Sequence, residues 1–326
     1  MSNATGPENQ IPLGVVIVNY RTPDITINCL RSLEGEMRSL PGSRVVVTDN
    51  ASGDDSIEKI KAAIETEAWD EWVSLIPLER NGGFAYGVNQ GIKRVAQAKY
   101  VLILNSDAIV NPGCFSYCYT VMEQDPTIGI LSCLLLNSDG TVQNVARKFP
   151  TPIGQIVSTL GLPWKLPNLF QWADMEDLTW DRKTTKRAVD WLGGAFMMVP
   201  SELIQKIGGL DEDFFFYGED VEFCHRVWKA GYRCYYDPAV SVTHYGGKSS
   251  DPSRLSSFRR NLFMWKARYL VQEKCYGRPS ALALRAVDTA ACGLRLALLQ
   301  LMGKQDDVKY KSLAQTFAIL LGKEER

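Results

Sequence analysis

Apolar, β-branched runs alternate with amphipathic stretches through the first half of the chain. The runs are GVVIVNY (14–20), RVVVTDN (44–50), VSLIPLE (73–79) and YVLILNSD (100–107). Between them, roughly 24–38, 54–68 and 84–98 have helical periodicity. Strands and helices alternating at this spacing predict βαβ units and a parallel sheet. The strands are apolar almost without interruption, which predicts that both sheet faces are covered. A helix at about 112–124 and a strand IGILSCLLLN (128–137) continue the pattern.

The pattern then changes. Residues 150–190 carry Pro150, Pro152, Pro163 and Pro167 among Trp164, Trp172 and Trp180, with no clean period. This predicts a long, partly helical excursion over the sheet, and such lengths are usually functional or mobile. Its tryptophans, with Trp191, suit either stacking on a sugar face or anchoring a lid. DWLGGAFMMVP (190–200) reads as a returning strand, and SELIQKIGG (201–209) as a short helix closed by glycine. An aromatic, acidic loop leads into a helix at about 220–230 and a Gly231 stop, followed by a strand. AVSVTHYGGKSS (239–250) is a further strand ending in a polar loop, and from about 253 onward three helical pieces are expected.

Composition narrows the class. With 326 residues, 45% hydrophobic and 22% charged, the chain suits a soluble globular protein of one large or two modest domains. A net charge of -1 gives no basic field for nucleic acid. The eight cysteines form no CxxC and are not spaced with the two histidines as zinc ligands, so they read as reduced core thiols. The polar start MSNATGPENQIP lacks the charged and apolar regions of a signal peptide. Residues 1–12 are expected to be disordered, and the location cytoplasmic. ALALRAVDTAACGLRLALLQLM (281–302) is the most membrane-like stretch, but Arg285, Asp288 and Arg295 argue against a spanning helix.

Ligands of open α/β sheets sit outside the carboxyl ends of the strands. Here those ends are polar in succession: Asn19-Tyr20-Arg21, Asp49-Asn50, Glu79-Arg80-Asn81 and Asn105-Ser106-Asp107. Four such ends suggest a cleft for a polar ligand. RNGGFAYGVNQG (80–91) is a glycine-rich entry to a helix; it suits either a phosphate at a helix N-terminus or close helix–sheet packing. It is neither a Walker loop nor a GxGxxG motif. Asp107 and His244 both fall at predicted strand ends, where they could share a hard divalent cation if a diphosphate and waters completed the shell. The alternative is a histidine bonded to backbone. In YGEDVEF (217–223), Glu219 and Asp220 stand where a helix begins, a place that carboxylates favour in any case. Three phenylalanines and a tyrosine precede them, and apolar neighbours raise a carboxylate towards general-base values.

The ordered set VVIVNY, VVVTDNAS, NGGFAYGVNQG, LILNSDA, WLGGAFMMV, FFFYGEDVEFCHRVWKAGY and VTHYGGKS resembles the inverting glycosyltransferases of family 2, over about 14–270. Within that family it looks most like the bacterial rhamnosyltransferase type that uses dTDP-L-rhamnose. The resemblance implies a GT-A fold: an α/β, Rossmann-like, mostly parallel sheet flanked by helices. It implies a domain over 13–270, with a nucleotide-binding half to about 110 and an acceptor-binding half from 111, then a helical extension over 271–326. Asn19, Tyr20 and Asp49 would line the nucleoside pocket, and Arg80, Asn81, Gly82 and Ser106 would border the nucleotide. Asn105-Ser106-Asp107 stands where the family has DxD, so Asp107 would bind Mn²⁺ or Mg²⁺ with His244 as second ligand. Asp220 would be the catalytic base, and Glu219 would help orient the acceptor. Trp191, Gly193 and Gly194 would shape the sugar subsite. The departure is Asn105, which lowers the charge offered to the metal.

The implied partners are a dTDP- or UDP-sugar donor and a saccharide acceptor for cell-surface polysaccharide, carried on a lipid. Peripheral contact of the C-terminal helices with the inner membrane face goes with that acceptor. Two other readings compete: a nucleotidyltransferase, which lacks its glycine-rich loop after Val15, and a sugar-nucleotide-binding scaffold without turnover.

Overall fold

The structure, a computed structural model, describes residues 11–177, 179–246, 257–305 and 307–322. Most of the segment expected to be disordered, and the last four residues of 239–250, therefore lie outside the described residues.

The chain begins β1 (Ile11–Asn19), α1 (Pro23–Ser39), β2 (Arg44–Asp49), α2 (Ser56–Thr66), β3 (Val73–Pro77), α3 (Phe84–Arg94) and β4 (Ala98–Asn105). It continues β5 (Ala108–Val110), α4 (Cys114–Gln124), β6 (Ile128–Leu136) and β7 (Ala146–Arg147). Short helices α5 (Pro152–Thr159), α6 (Leu162–Lys165) and α7 (Pro167–Phe170) follow. Then come β8 (Arg187–Val189), β9 (Trp191–Leu192), β10 (Phe196–Pro200), α8 (Ser201–Ile207), α9 (Glu219–Lys229) and β11 (Arg233–His244). The chain closes with α10 (Ser257–Tyr276), α11 (Arg278–Leu301) and α12 (Val308–Leu320). Its contacts define two compact units. A sheet unit comprises 1–147, 178–215 and 219–251; a helical unit comprises 148–177, 216–218 and 252–326.

The sheet unit is built on a mixed, mostly parallel sheet of nine strands, ordered β3-β2-β1-β4-β10-β6-β11-β5, with β8 also on β11. The first four strands are parallel, as their helical crossovers require. β10 runs antiparallel to β4 and β6. The expected strand over 190–200 is in fact two: β9 pairs with β7 in a separate ribbon, and β10 enters the large sheet after Gly193-Gly194. Those glycines break the alternation that a single strand would need.

The centre of β1 is fully buried, with Leu13, Val15, Val16 and Ile17 inaccessible. α3 lies unusually close to it. A Cβ at Gly91 would fall 2.4 Å from Val16 Cγ1, so the glycine there is a packing requirement. α1 starts on Pro23 at a position that needs no N–H, with Asp24 in its first turn and Arg38 in its last. Its buried Glu36 reaches the start of α4, where Oε1 accepts from Gly113 N and Oε2 from Phe115 N, each at 2.6 Å. One carboxylate thus satisfies two N–H groups that a helix start leaves open. All eight cysteines are buried thiols, as their spacing predicted.

The helical unit has its own buried polar junction. Asp288 of α11 accepts from Arg268 Nε at 3.0 Å and from the Tyr269 hydroxyl at 2.9 Å, tying α11 to α10. Buried Gln272 donates to the carbonyl of Pro150, so the proline-rich segment is fastened to α10 as well. Among the described residues no helix is long and apolar enough to cross a membrane.

Glu36→Ala would strand two buried N–H groups, each costing about 1–3 kcal/mol. Chemical denaturation should show the variant destabilised by roughly 3 kcal/mol. Glu36→Gln, which keeps one acceptor, should lose about half as much.

Candidate active site

All the candidate residues belong to the sheet unit. The parallel register sets Asn19 beside Asp49. Both are fully buried and bonded to each other, Asn19 Nδ2 donating to Asp49 Oδ2 at 2.7 Å. Asp49 also accepts from Ser52 N at 3.0 Å and Ser52 Oγ at 2.6 Å, and Asn19 Oδ1 accepts from Thr26 Oγ1 at 2.8 Å. This network shapes the turn after β2, where Ala51 takes a φ of 54°. Tyr20 follows β1 half-buried, with the Arg21 guanidinium 5.3 Å from its ring centre.

At the next strand end, Arg80 is exposed and lies 4.5 Å over the ring of Tyr86. Asn81 Oδ1 accepts from Gly83 N and from Asn50 Nδ2, both at 3.0 Å. Asn50, buried, also donates to the Gly83 carbonyl at 3.0 Å and accepts from Gly82 N at 3.4 Å. It joins the ends of β2 and β3 across the loop before α3. Sequence reasoning placed Asn50 at a strand end but gave it no role in the site. Gly83 has a φ of +89°, and a Cβ there would lie 2.3 Å from the carbonyl oxygen of Phe215. Close approach of the Phe215 backbone thus dictates one glycine of the rich loop.

Asp107 leads into β5, whose pairing with β11 puts His244 opposite Ala108. That register sets Asp107 Oδ1 3.2 Å from His244 Nε2. The other ring nitrogen, Nδ1, lies 2.8 Å from Gln143 Oε1. The Gln143 amide can face only one way. Its Nε2 donates to two oxygens, the His244 carbonyl at 2.6 Å and Asn137 Oδ1 at 2.7 Å. Gln143 Oε1 must therefore accept, and Nδ1 carries the proton. In the neutral ring Nε2 then presents its lone pair towards Asp107, with Asn105 Nδ2 at 3.2 Å. Asp107 Oδ1 and His244 Nε2 could together contact a cation, which would take the Nε2 lone pair in place of the Asn105 amide. Gln143 carried no signal in the sequence, because it sits in an aperiodic stretch. Ser106 is buried beside the pair, and its Oγ has no hydrogen bond among the described residues.

The donor set fits a hard divalent ion that arrives with oxygen ligands of its own. Among the described residues no group of three or more His, Cys, Asp or Glu could hold a metal, and at this corner they offer one carboxylate and one imidazole.

The carboxylate pair sits at the first turn of α9. Asp220 Oδ2 accepts from Gly194 N at 3.2 Å, and Oδ1 from Val221 N at 2.8 Å. Gly193 N is bonded to the Val145 carbonyl, and Trp191 is buried beneath the Arg147 guanidinium, 5.5 Å from its ring. Trp191, Gly193 and Gly194 thus come together with Asp220. The same turn meets the Asn105-Ser106-Asp107 segment, because Asn105 N donates to the Ala195 carbonyl at 3.0 Å. Farther along α9, Arg226 holds Glu222 at 2.8 Å and donates to the carbonyls of Ile207 and Gly209, which fixes the helix.

Glu219 is 7% exposed, and its Oε2 has no hydrogen bond among the described residues. Burial first, and the neighbouring Asp220 charge second, raise its pKa to about 8. Asp220 is also raised, chiefly by burial, against the pull of the Val221 and Gly194 N–H groups. Two carboxyls held this way resist ionising together, as acid–base chemistry near neutral pH requires.

One compact unit thus carries an α/β sheet, the Asp107–His244 corner and the Glu219–Asp220 pair. Residues 14–197 match the family model described as "Glycosyl transferase family 2", and the chain belongs to that family of glycosyltransferases. It is 28% identical over 209 residues to the N-acetylglucosaminyl-diphospho-decaprenol L-rhamnosyltransferase of Mycobacterium tuberculosis, covering 60% of this chain and 67% of the relative. It is 26% identical over 276 residues to rhamnosyltransferase WbbL of Escherichia coli, covering 80% and 93%. Among solved structures, GalNAc-T7 with UDP, GalNAc and Mn²⁺ superposes with a TM-score of 0.55 at 15% identity over 82% of this chain, which shows a shared fold. The present chain spans about half the length of that one.

A carboxyl raised by folding binds its proton more tightly when folded. Stability is then greatest below the unfolded value and is lost as pH rises towards the folded one. Glu219→Gln should therefore match the parent in melting temperature near pH 4.5 and exceed it increasingly up to pH 8. Differential scanning calorimetry across that range checks the sign.

Proposed function

We propose that the chain is an inverting glycosyltransferase that moves a sugar, L-rhamnose from dTDP-L-rhamnose, to a saccharide acceptor in cell-surface polysaccharide synthesis. The observation that carries transfer is the Asp107–His244 pair, 3.2 Å apart, in the same compact unit as Asp220 and its Gly194 hydrogen bond. The two rhamnosyltransferase relatives support the donor sugar, and the decaprenol in one relative's name supports a lipid-linked acceptor. An enzyme with such an acceptor would work at the cytoplasmic face of a membrane, which its C-terminal helices would touch.

In this reading Asn19, Tyr20 and Asp49 border the nucleoside, and Arg80, Asn81, Gly82 and Ser106 line its approach. Asp107 and His244 would hold Mn²⁺ or Mg²⁺, which when bound offsets the charge gathering on the leaving diphosphate. Mn²⁺ in the GalNAc-T7 structure supports a divalent ion at this fold. Gln143 Oε1 accepts from His244 Nδ1, so in the neutral ring Nε2 is the nitrogen left to ligate. Asp220 takes the proton from the acceptor hydroxyl, whose oxygen attacks the anomeric carbon opposite the diphosphate. The bond to the diphosphate breaks in the same displacement, and the configuration inverts. Gly194 N and Val221 N aim the Asp220 carboxylate, while Glu219 orients the acceptor. Trp191, with Gly193 and Gly194, forms the wall on which the sugar rests.

Calorimetry of dTDP, UDP and GDP, each with and without Mn²⁺, tests the donor site. dTDP should bind best and only with metal. A preference for UDP, the nucleotide seen with GalNAc-T7, would move the donor to a UDP-sugar, and no binding at all would refute the nucleotide site. Asp220→Asn should bind dTDP as the parent does and lose transfer by at least about 10³-fold. Transfer within tenfold of the parent would remove Asp220 from the role.

A further inference from the structure

The surface of the helical unit is unlike that of the sheet unit. Seventeen large hydrophobic side chains are exposed among the described residues, and fifteen belong to the helical unit, Phe215 and Tyr245 being the two outside it. The same unit is strongly basic. Its described residues include thirteen Lys and Arg against six Asp and Glu, a net of +7 in a chain whose total is -1. An ordinary surface does not combine a large apolar area with one sign of charge.

The apolar side chains are concentrated in two places. Leu160, Trp164, Leu166, Leu169 and Trp172 are all exposed, Trp164 at 90%, in a segment of two short proline-started helices whose only charge is Lys165. Along α11, Ala281, Leu284, Asp288 and Cys292 point into the unit, while Leu294, Leu298 and Leu301 share another face and are exposed, Leu301 at 85%. A soluble helix normally turns polar residues outward. Lys165, Arg295 and Lys304 are exposed beside these side chains in the sequence. A cavity of about 320 Å³ beside Trp164 is lined by Gly161, Trp265, Asp288, Cys292 and Arg295 among others.

We propose that this face docks on an anionic lipid bilayer, the 160–172 segment and the Leu294–Leu301 stripe entering the headgroup layer. Indole rings favour the boundary between headgroups and hydrocarbon, and lysines and arginines beside them meet the phosphates. The exposed apolar area supplies the depth, and the net of +7 selects the lipid. This deepens the membrane contact proposed above by giving it an insertion face and a lipid class, and it places the 160–172 segment alongside the C-terminal helices. It rests on that reading only for what the membrane would supply.

Vesicle flotation of the full chain is the test, with neutral phosphatidylcholine vesicles compared against vesicles containing 30% phosphatidylglycerol. Binding should be at least tenfold stronger to the anionic vesicles and weaken at least fivefold in 0.5 M salt. Trp164→Ser/Trp172→Ser and Leu298→Ser/Leu301→Ser should each lose tenfold or more, with unchanged thermal unfolding. Equal binding to both vesicle types, no binding, or variants that bind as the parent does would overturn the proposal. Self-association abolished by these substitutions, without vesicle binding, would overturn it in favour of a second copy. Vesicle flotation needs no nucleotide, so failure of the donor-site reading in calorimetry is scored separately.

Discussion

The pairing of a three-residue strand, β5, with the end of β11 positions the rest of the site. It sets His244 against Ala108, and so sets the imidazole 3.2 Å from Asp107. A slip of one residue would turn His244 to the opposite face of the sheet. The register is reinforced beyond the strand by Tyr245 N bonding to the Asp107 carbonyl, and by Gln143 gripping His244 at both its ring and its carbonyl. From this corner the Asn105–Ala195 bond leads to the Gly193-Gly194 turn, and that turn holds Asp220. The Asp107–His244 corner and Asp220 are therefore connected through a few hydrogen bonds to backbone, which hold position better than long side chains would.

The same connection explains how the fold tolerates a buried carboxyl, Glu219, next to the half-buried Asp220. Glu219 and Asp220 are unfavourable neighbours, and their raised pKa values record the strain of desolvation. The surrounding elements are correspondingly firm: α9 is bolted through Glu222 and Arg226 to the carbonyls after α8. Asn105 follows a related logic. An amide beside His244 Nε2 adds a donor without adding a further negative charge to a corner that already holds Asp107.

Much of this was legible in the sequence. The parallel half of the sheet followed from apolar runs and their spacing, because buried strands have few other ways to read. The polar strand ends pointed to residues that the structure joins by hydrogen bonds, Asn19 to Asp49 and Asn50 to Asn81, and the ordered motifs pointed to the family now shown by the match over 14–197. What the sequence concealed has physical reasons. The break in 190–200 depends on which partner each short piece finds, and Trp191 pairs with Arg147 while Phe196 pairs with Leu104. Gln143 and Asn50 act through hydrogen bonds to residues far away in the chain, which no local pattern encodes. The glycine-rich loop was read two ways. Close packing explains Gly83 and Gly91, whatever else the helix start binds.

The burial of all eight thiols gives the molecule a built-in clock for its own motions. A thiol reagent can react only where the structure opens, and at a rate set by how often it does. Cys29, Cys114, Cys118 and Cys133 pack in the main core of the sheet unit, while Cys275 is buried in the helical unit. Modification mapped cysteine by cysteine would therefore time the breathing of the two units separately, with no label added to the chain.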